Sequence, residues 1–263
     1  MGNKLFVRQM TRTVACVAAA ATVFSMNPAG LPYAGGQAGA FVVDAATEST
    51  AVEISTYEQF AAFAKAVNAG TAESYASVKL TADITIPAGT TWTPIGSAAN
   101  PYTGVFDGDG HTVSGLTASI TAAEYNAEND SVPFGLFGQT QGATIKNLKM
   151  SNVEISGSAG SGSGILCGRS IATTISGCTI DNSCTFNGNT AMVGGLGCML
   201  IESTVSDCVV AVQLQLENQA PPAGGYVYVL SNSQIINSIF KGTIKGTGAI
   251  SLTGGFVGVN SGL

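Results

Sequence analysis

The side chains best suited to chemistry lie in the segment Asp107-Gly108-Asp109-Gly110-His111, which contains the only histidine of the chain. Two carboxylates beside an imidazole could support acid–base catalysis or contribute ligands to Ca²⁺. A calcium loop needs more carboxylate and carbonyl oxygens than two local acids supply. Asp-Gly pairs are also typical of tight turns between strands. The sequence therefore favours a structural turn, with catalysis and calcium binding as the alternatives.

A second polar group follows shortly downstream and comprises Glu124, Tyr125, Glu128 and Asp130. Loops on repeat scaffolds often carry binding residues, so these four are candidate ligand contacts. The alternative is an acidic loop that only faces solvent. Tyr226 and Tyr228 are further candidate contacts, although both could equally fill the core.

The cysteines form two pairs at nearly constant spacing. Cys178 and Cys208 are 30 residues apart, and Cys167 and Cys198 are 31 apart. We expect each pair to share one repeat position on adjacent strands, where Cα atoms come within disulfide distance. Disulfides and ladders of buried free thiols both fit this spacing. Zinc and other cofactors are not expected, since one histidine and no C-x-x-C pair are present.

These residues are set in a repeat of about 30 residues. A short core that begins with glycine recurs at Gly135, Gly164, Gly195, Gly225 and Gly255, in steps of 29, 31, 30 and 30 residues. A second core, Thr144-Ile145-Lys146-Asn147-Leu148, recurs every 30 residues through Thr174, Thr204 and Gln234. A fixed period in this range is typical of a solenoid, whose units bury their apolar faces by stacking on one another.

The composition of each unit predicts strands and not helices. Each unit contains short β-branched runs broken by Gly, Asn, Ser or Thr, and no amphipathic helical stretch. We therefore predict an all-β parallel β-helix with three strands and three bends per rung. Ile145, Ile175, Val205 and Ile235 should form one internal ladder. Asn147, Asp207 and Asn237 share one position with Gly177, which predicts a bend.

The pattern extends upstream in a less regular form. Gly104-Val105-Phe106-Asp107 resembles the first core, Thr112-Val113-Ser114 resembles the second, and Val78–Ile86 resembles one strand of an earlier coil. The longer step into the next rung predicts an inserted loop over residues 117–133. A short helix should precede these rungs, with Ser55 and Glu58 as its capping box and Gly70 as its C′ residue. Phe60 and Phe63 would then cap the open end of the solenoid.

The N-terminus is similar to a secretory signal. Lys4, Arg8 and Arg12 precede an apolar run from Val14 to Phe24, which is too short to span a membrane. We expect residues 1–40 to be a signal peptide with a linker, residues 41–54 to be a further linker, and residues 55–116 to hold the cap helix and first rungs. An uncleaved N-terminal anchor is the alternative.

The net charge of −6, carried by 16 acidic and 10 basic residues, argues against nucleic acid and anionic membranes as partners.

Several of these segments together resemble a known family. Trp92-Thr93-Pro94-Ile95-Gly96, Tyr102–Val113, Gly135-Leu136-Phe137-Gly138 and Gly254–Gly262 are similar to bacterial surface proteins with GLUG-type repeats. The resemblance implies a right-handed parallel β-helix of the kind found in adhesins and in non-catalytic parts of some immunoglobulin A peptidases. The middle rungs depart from the motif, since Cys198 and Tyr228 replace its second glycine.

The expected function is therefore a secreted or surface-displayed module that is not an enzyme. Its partner would be a host glycoprotein, glycan or matrix component, and the mature chain would not insert into a membrane. A carbohydrate-active enzyme on a β-helix and a structural spacer are the alternatives. Residues 134–263 should form the repeat rungs. Because the last rung lacks its second core, we expect a fragment of a longer chain, or otherwise a monomer.

Overall fold

Parallel strands dominate the computed structural model, which describes residues 50–120, 133–157, 162–188, 192–216, 223–246 and 253–261. The strands pair rung on rung, for example Thr174–Ser176 with Thr144–Lys146 on one side and with Thr204–Ser206 on the other. These partners lie 30 residues apart along the chain. The predicted all-β parallel β-helix with about 30 residues per rung and one N-terminal helix is confirmed.

The first part of the solenoid contains the helix and six strands. In chain order these are β1 (Val52–Ile54), α1 (Tyr57–Asn68), a 3₁₀ turn (Glu73–Tyr75), β2 (Ser77–Leu80), β3 (Ile84–Thr85), β4 (Val105–Asp107), β5 (Thr112–Ser114) and β6 (Thr117–Ile120).

The regular coils follow, and each complete coil contains five short strands. They are β7 (Phe137–Gln141), β8 (Thr144–Lys146), β9 (Lys149–Ser151), β10 (Glu154–Gly157), β11 (Gly162–Gly164), β12 (Cys167–Ile171), β13 (Thr174–Ser176), β14 (Thr179–Ile180), β15 (Thr185–Gly188), β16 (Met192–Gly194), β17 (Gly197–Ile201), β18 (Thr204–Ser206), β19 (Val209–Val210), β20 (Gln213–Leu216), β21 (Ala223–Gly224), β22 (Val227–Ser231), β23 (Gln234–Ile236), β24 (Ile239–Phe240), β25 (Thr243–Gly246), β26 (Thr253–Gly254) and β27 (Val257–Asn260).

Stacking of equivalent strands produces five sheets along the solenoid. Their orders are β1-β2-β4-β8-β13-β18-β23, β3-β5-β9-β14-β19-β24, β6-β10-β15-β20-β25, β11-β16-β21-β26 and β7-β12-β17-β22-β27. The prediction of three strands per rung was wrong. Residues with positive φ, such as Asn147 at 53° and Ala172 at 47°, divide each coil into shorter strands than the apolar runs suggested.

The interior is built from ladders of equivalent side chains. Ile145, Ile175 and Val205 are fully buried and in register, as predicted, and Ile235 continues the ladder as a partly buried residue. Phe106 and Val78 extend it toward the N-terminus. Complete burial of one such side chain contributes about 1.5–3 kcal/mol, so the ladder supplies much of the stability of the sheet.

Helix α1 packs its apolar face onto this core. Phe60 and Phe63 are fully buried, and their rings lie 6.2 and 5.9 Å from the ring of Phe106. The predicted capping pair was one residue too early, because Thr56 and Gln59 form the capping box. The predicted C′ glycine is confirmed: Gly70 has φ of 70° and donates its N–H to Val67 O.

The predicted register of the upstream rungs was wrong. Strand β4 pairs with β8, so Phe106 aligns with Ile145, and β5 pairs with β9, so Val113 aligns with Met150. Ile95 forms the bridge to Phe137, at the position where the sequence predicts the Gly104–Asp107 segment. Short alternating runs look alike in sequence, and here only the chain path distinguishes one strand of the rung from the next.

Three boundaries also differ. The predicted strand Val78–Ile86 is two strands, β2 and β3, which belong to different sheets. Strand β1 lies in the predicted linker 41–54, and β6 occupies the start of the predicted loop 117–133. Residues 1–49 and 121–132 lie outside the described residues, so the signal segment and most of that loop stay predictions.

Two rows of bends have left-handed backbone conformations. Asn147, Asp207 and Asn237 have φ of 53°, 56° and 47° and align with Gly177, which confirms the bend predicted there. The second row, which the sequence did not reveal, aligns Ala172, Glu202 and Asn232 with Gly142. An L residue in this conformation costs about 1–2 kcal/mol, and asparagine tolerates it better than alanine or glutamate.

Replacement of Ala172 by glycine should therefore stabilise the protein. Relief of the left-handed strain should outweigh the added chain entropy of glycine and raise the free energy of unfolding by about 0.5–1 kcal/mol. Urea unfolding of Ala172→Gly measures this change. The matched control Ala62→Gly, in the interior of α1, should lower stability by about 1 kcal/mol. A lower free energy of unfolding for Ala172→Gly than for the unmodified chain would show that Ala172 is not strained.

Candidate functional site

The Asp107–His111 segment is the turn between β4 and β5. Asp109 and Gly110 both have positive φ, of 49° and 81°. Asp107 Oδ1 accepts the N–H of Asp109 at 2.9 Å, a side-chain bond that closes the turn locally. The geometry is thus that of the Asp-Gly turn favoured by the sequence.

Lysines from neighbouring rungs pair with both aspartates of the turn. Lys146 Nζ lies 3.1 Å from Asp107 Oδ2, and Lys79 Nζ lies 2.9 Å from Asp109 Oδ2. Asn147 Nδ2 also donates to Asp107 Oδ1, at 3.1 Å. The turn therefore joins three successive rungs on the outside of the solenoid through charged contacts.

The histidine of the cluster contacts a different carboxylate. His111 Nδ1 lies 3.3 Å from Asp83 Oδ1, which also accepts the N–H of Thr112 at 2.8 Å. That backbone bond is the main cause of a lowered pKa at Asp83, and His111 adds to it. A general acid needs a raised carboxyl pKa at neutral pH, so Asp83 is tuned in the opposite direction.

Asp107 is also held in its charged form. Partial burial raises its pKa, but the bonds from the Asp109 N–H, Lys146 and Asn147 outweigh burial and leave the pKa below its ordinary value. The described residues contain no group of three or more His, Cys, Asp or Glu side chains that could hold a metal ion. The arrangement is suited to joining rungs by charge. The candidate contacts Glu124, Tyr125, Glu128 and Asp130 lie outside the described residues.

The cysteine pairs differ in their alignment. Cys178 and Cys208 occupy equivalent positions, as predicted, because Val209 donates its N–H to Cys178 O and Ile239 donates to Cys208 O. The predicted alignment of Cys167 with Cys198 was wrong, since Cys167 pairs with Gly197. The 31-residue step places Cys198 one residue farther along its strand. All five described cysteines are buried free thiols in this structure.

The bends show what the Cys178 and Cys208 side chains do. Backbone N–H groups before each bend donate to the following rung, as Gly177 does to Ser206 O. Backbone N–H groups after the bend donate to the preceding rung, as Thr179 does to Leu148 O. The N–H of the residue between them therefore needs an acceptor outside the regular ladder. Cys208 Sγ accepts the N–H of Cys178 at 3.3 Å and supplies that acceptor.

Serine hydroxyls accept the equivalent backbone N–H groups elsewhere in the structure. Ser238 Oγ accepts the N–H of Cys208 at 3.2 Å, one rung farther along. At the other row of bends, Ser203 Oγ accepts the N–H of Thr173 at 3.0 Å, and Ser233 Oγ accepts that of Ser203 at 2.9 Å. We refer to these as the bend ladders, which comprise Thr173, Ser203 and Ser233 in one row and Cys178, Cys208 and Ser238 in the other.

Each side chain of the bend ladders also donates to a carbonyl two residues before it. Ser203 Oγ donates to Ile201 O at 2.8 Å, and Cys208 Sγ donates to Ser206 O at 3.1 Å. The neighbouring Cys208 thiol and burial raise the pKa of Cys178 well above its ordinary value, so this thiol keeps the proton that it donates to Ser176 O. These two thiols therefore act as hydrogen-bonding groups equivalent to serine hydroxyls.

The two later tyrosines are interior residues. Tyr226 is fully buried and stacks on Phe256 with ring centroids 4.6 Å apart. Tyr228 is only 7 % exposed. Neither ring is placed to act as the surface contact considered from the sequence.

A groove that the sequence analysis missed lies between α1 and the segment 91–93. Its volume is about 310 Å³, and its lining includes Tyr57, Lys65, Thr91, Trp92 and Thr93. Tyr57, Ala61, Lys65 and Asn68 follow one another at helical spacing, which is the one sequence signal for this face. The segment 91–93 is distant in sequence, and its approach to the helix could not be read from spacing.

Comparisons with models of protein families, with curated proteins and with solved structures found no match. Among the helices that the structure describes, none combines the length and apolar character needed to cross a membrane.

Substitution of Cys208 tests whether its thiol acts as a hydrogen-bond acceptor or only fills space as an apolar group. Cys208→Ala removes the acceptor of a buried N–H and should lower the free energy of unfolding by about 1–3 kcal/mol. Cys208→Ser restores an acceptor and should be the more stable of the two variants in urea unfolding. Ser203→Ala is the matched control in the other bend ladder and should lose a similar amount. A Cys208→Ala variant as stable as Cys208→Ser would show that the thiol only fills space.

The ion pair of Asp107 with Lys146 should make the free energy of unfolding depend on pH. Its folded pKa is lowered, so its contribution is complete above the ordinary value of 3.8 and is lost as the pH falls through the lower folded value. Asp107→Asn should reduce the acid-dependent loss of stability by about 1 kcal/mol in urea unfolding between neutral pH and pH 2.5. Lys146→Gln, which removes the paired cation, should reduce it as well. An unchanged pH profile for both variants would contradict this assignment.

Proposed function

We propose that this chain is a non-catalytic β-solenoid module, secreted and displayed at a bacterial cell surface, where it mediates adhesion to a host glycoprotein, glycan or matrix component. The observation that carries the proposal is that equivalent side chains on stacked rungs form rows on the outside of the solenoid, which we call the outward rows. Thr144, Thr174 and Thr204 are in register on one face, each at least partly exposed, beside a second row of Lys146, Ser176 and Ser206.

Such rows are suited to binding an extended partner. Neighbouring rungs repeat about every 4.8 Å, so a polymer with repeated hydrogen-bonding groups can contact several rungs at once. Hydroxyl groups can both donate and accept, and they carry no charge that a neutral glycan would have to compensate. The resemblance to GLUG-type repeats supports a bacterial surface location, and the low content of charged residues, 10 %, agrees with a solenoid of this kind.

A role without catalysis is supported by the use that the fold makes of its reactive groups. Asp107 and Asp109 are paired with lysines, and Cys178 and Cys208 belong to a bend ladder. A glycosidase needs one carboxyl with a raised pKa opposite a second carboxylate, whereas Asp83 and Asp107 both have lowered pKa values.

A binding array tests the proposal directly. The purified full chain is applied to immobilised host glycans and matrix proteins, and release of reducing sugar is measured on the same glycans. We expect saturable binding without released sugar, and Thr174→Lys, which places a charge in the outward row, should weaken binding at least about tenfold. Ser156→Lys, on β10 of a different sheet, is the comparison variant. Released sugar would identify an enzyme, and absence of both signals would favour a spacer; either result would overturn the proposal.

A further inference from the structure

The groove between α1 and the segment 91–93 has the chemistry of a small binding site. The ring of Tyr57 is partly exposed along it, and Lys65 and the two threonines Thr91 and Thr93 are exposed. Its volume of about 310 Å³ lies at the lower end of the range of ligand pockets. The groove therefore combines an aromatic surface, two hydroxyl groups and one cation within the space of a small ligand.

The walls of the groove are fixed by buried and partly buried contacts. The indole of Trp92 stacks on Phe60 with ring centroids 5.6 Å apart and planes at 10°, and its Nε1–H donates to Gly135 O at 3.3 Å. Asn68 holds the opposite side, because its Nδ2 donates to Pro94 O at 3.0 Å and its Oδ1 accepts the Gly96 N–H at 2.8 Å. A ligand would enter a preformed groove and would not have to order these walls.

The charge at the groove selects among ligands. Lys65 is the only charged residue among those that line it in the described structure. The ion pairs of the described residues join Lys79, Lys146 and His111 to aspartates and do not include Lys65. An anionic group is therefore favoured over a neutral or cationic one. A sugar ring can place its C–H face on the tyrosine ring while its hydroxyls bond to the threonines.

We propose that this groove binds an acidic sugar residue, a pyranose with one carboxylate, such as the uronic acid units of host glycans. The carboxylate pairs with Lys65, the ring packs against Tyr57, and its hydroxyl groups contact Thr91 and Thr93. The inference rests on the proposed adhesion and adds a second site, together with the class of glycan that this site binds. The binding site then lies on the capping helix, apart from the outward rows of the regular rungs.

The test uses the full chain with sodium glucuronate and with glucose as the matched neutral probe, followed by ligand-observed nuclear magnetic resonance. Saturable binding of glucuronate should be at least about tenfold tighter than that of glucose, the difference expected for one charge-assisted contact. Lys65→Gln should remove this preference. Lys149→Gln, an exposed lysine on β9, is the matched control and should bind as the unmodified chain does.

A second pair of variants tests the aromatic surface. Tyr57→Ala should abolish binding of glucuronate, and Tyr57→Phe, which keeps the ring, should retain it; thermal unfolding shows that each variant is folded. Equal binding of glucuronate and glucose, or an unchanged preference in Lys65→Gln, would overturn the site.

Failure of the site and failure of the adhesion proposal can be distinguished. Saturable array binding, beside glucuronate binding that does not depend on Lys65, would reject the groove and leave adhesion in place. Glucuronate binding that depends on Lys65, with a silent array, would reject adhesion and support the groove.

Discussion

The structure depends on keeping every rung in register with the next. Each strand is short, so its stability comes from the strands above and below it and not from its own length. The bends are where this arrangement is most demanding, because the direction of hydrogen bonding reverses there. Thr173, Cys178 and Ser203 each have an N–H that donates to a side chain one rung away. Side-chain acceptors thus continue the ladder where the backbone cannot, and these three N–H groups are satisfied.

The regular rungs could be predicted from the sequence because their spacing is nearly constant. The ladder of Ile145, Ile175 and Val205 and the bend at Asn147 both follow from a 30-residue step. The upstream register could not be predicted, since Phe106 fits the alternating pattern in more than one alignment. Cys198 was misaligned for a related reason: a step of 31 residues does not show which strand absorbs the extra residue.

Function was harder to predict because the reactive residues mostly serve the fold. The densest polar segment is a turn anchored by Lys79 and Lys146, and Cys178 and Cys208 replace serine at a bend. The groove, in contrast, is formed where the repeat is interrupted by α1 and the segment 91–93. Its two sides are about 30 residues apart and share no motif. The two proposed binding surfaces therefore have different origins, since the outward rows come from the repetition and the groove comes from its interruption by α1 and the segment 91–93.

Amide hydrogen exchange at the bends shows whether side chains continue the hydrogen-bond ladder between rungs. The amides of Thr173, Cys178, Ser203 and Cys208 donate to Oγ or Sγ atoms of the next rung. They should be protected to the same extent as the neighbouring strand amides of Thr174 and Thr204, because all of them open only when rungs separate. Exchange at these four positions as fast as in an exposed turn, beside protected strands, would show that side chains do not continue the ladder.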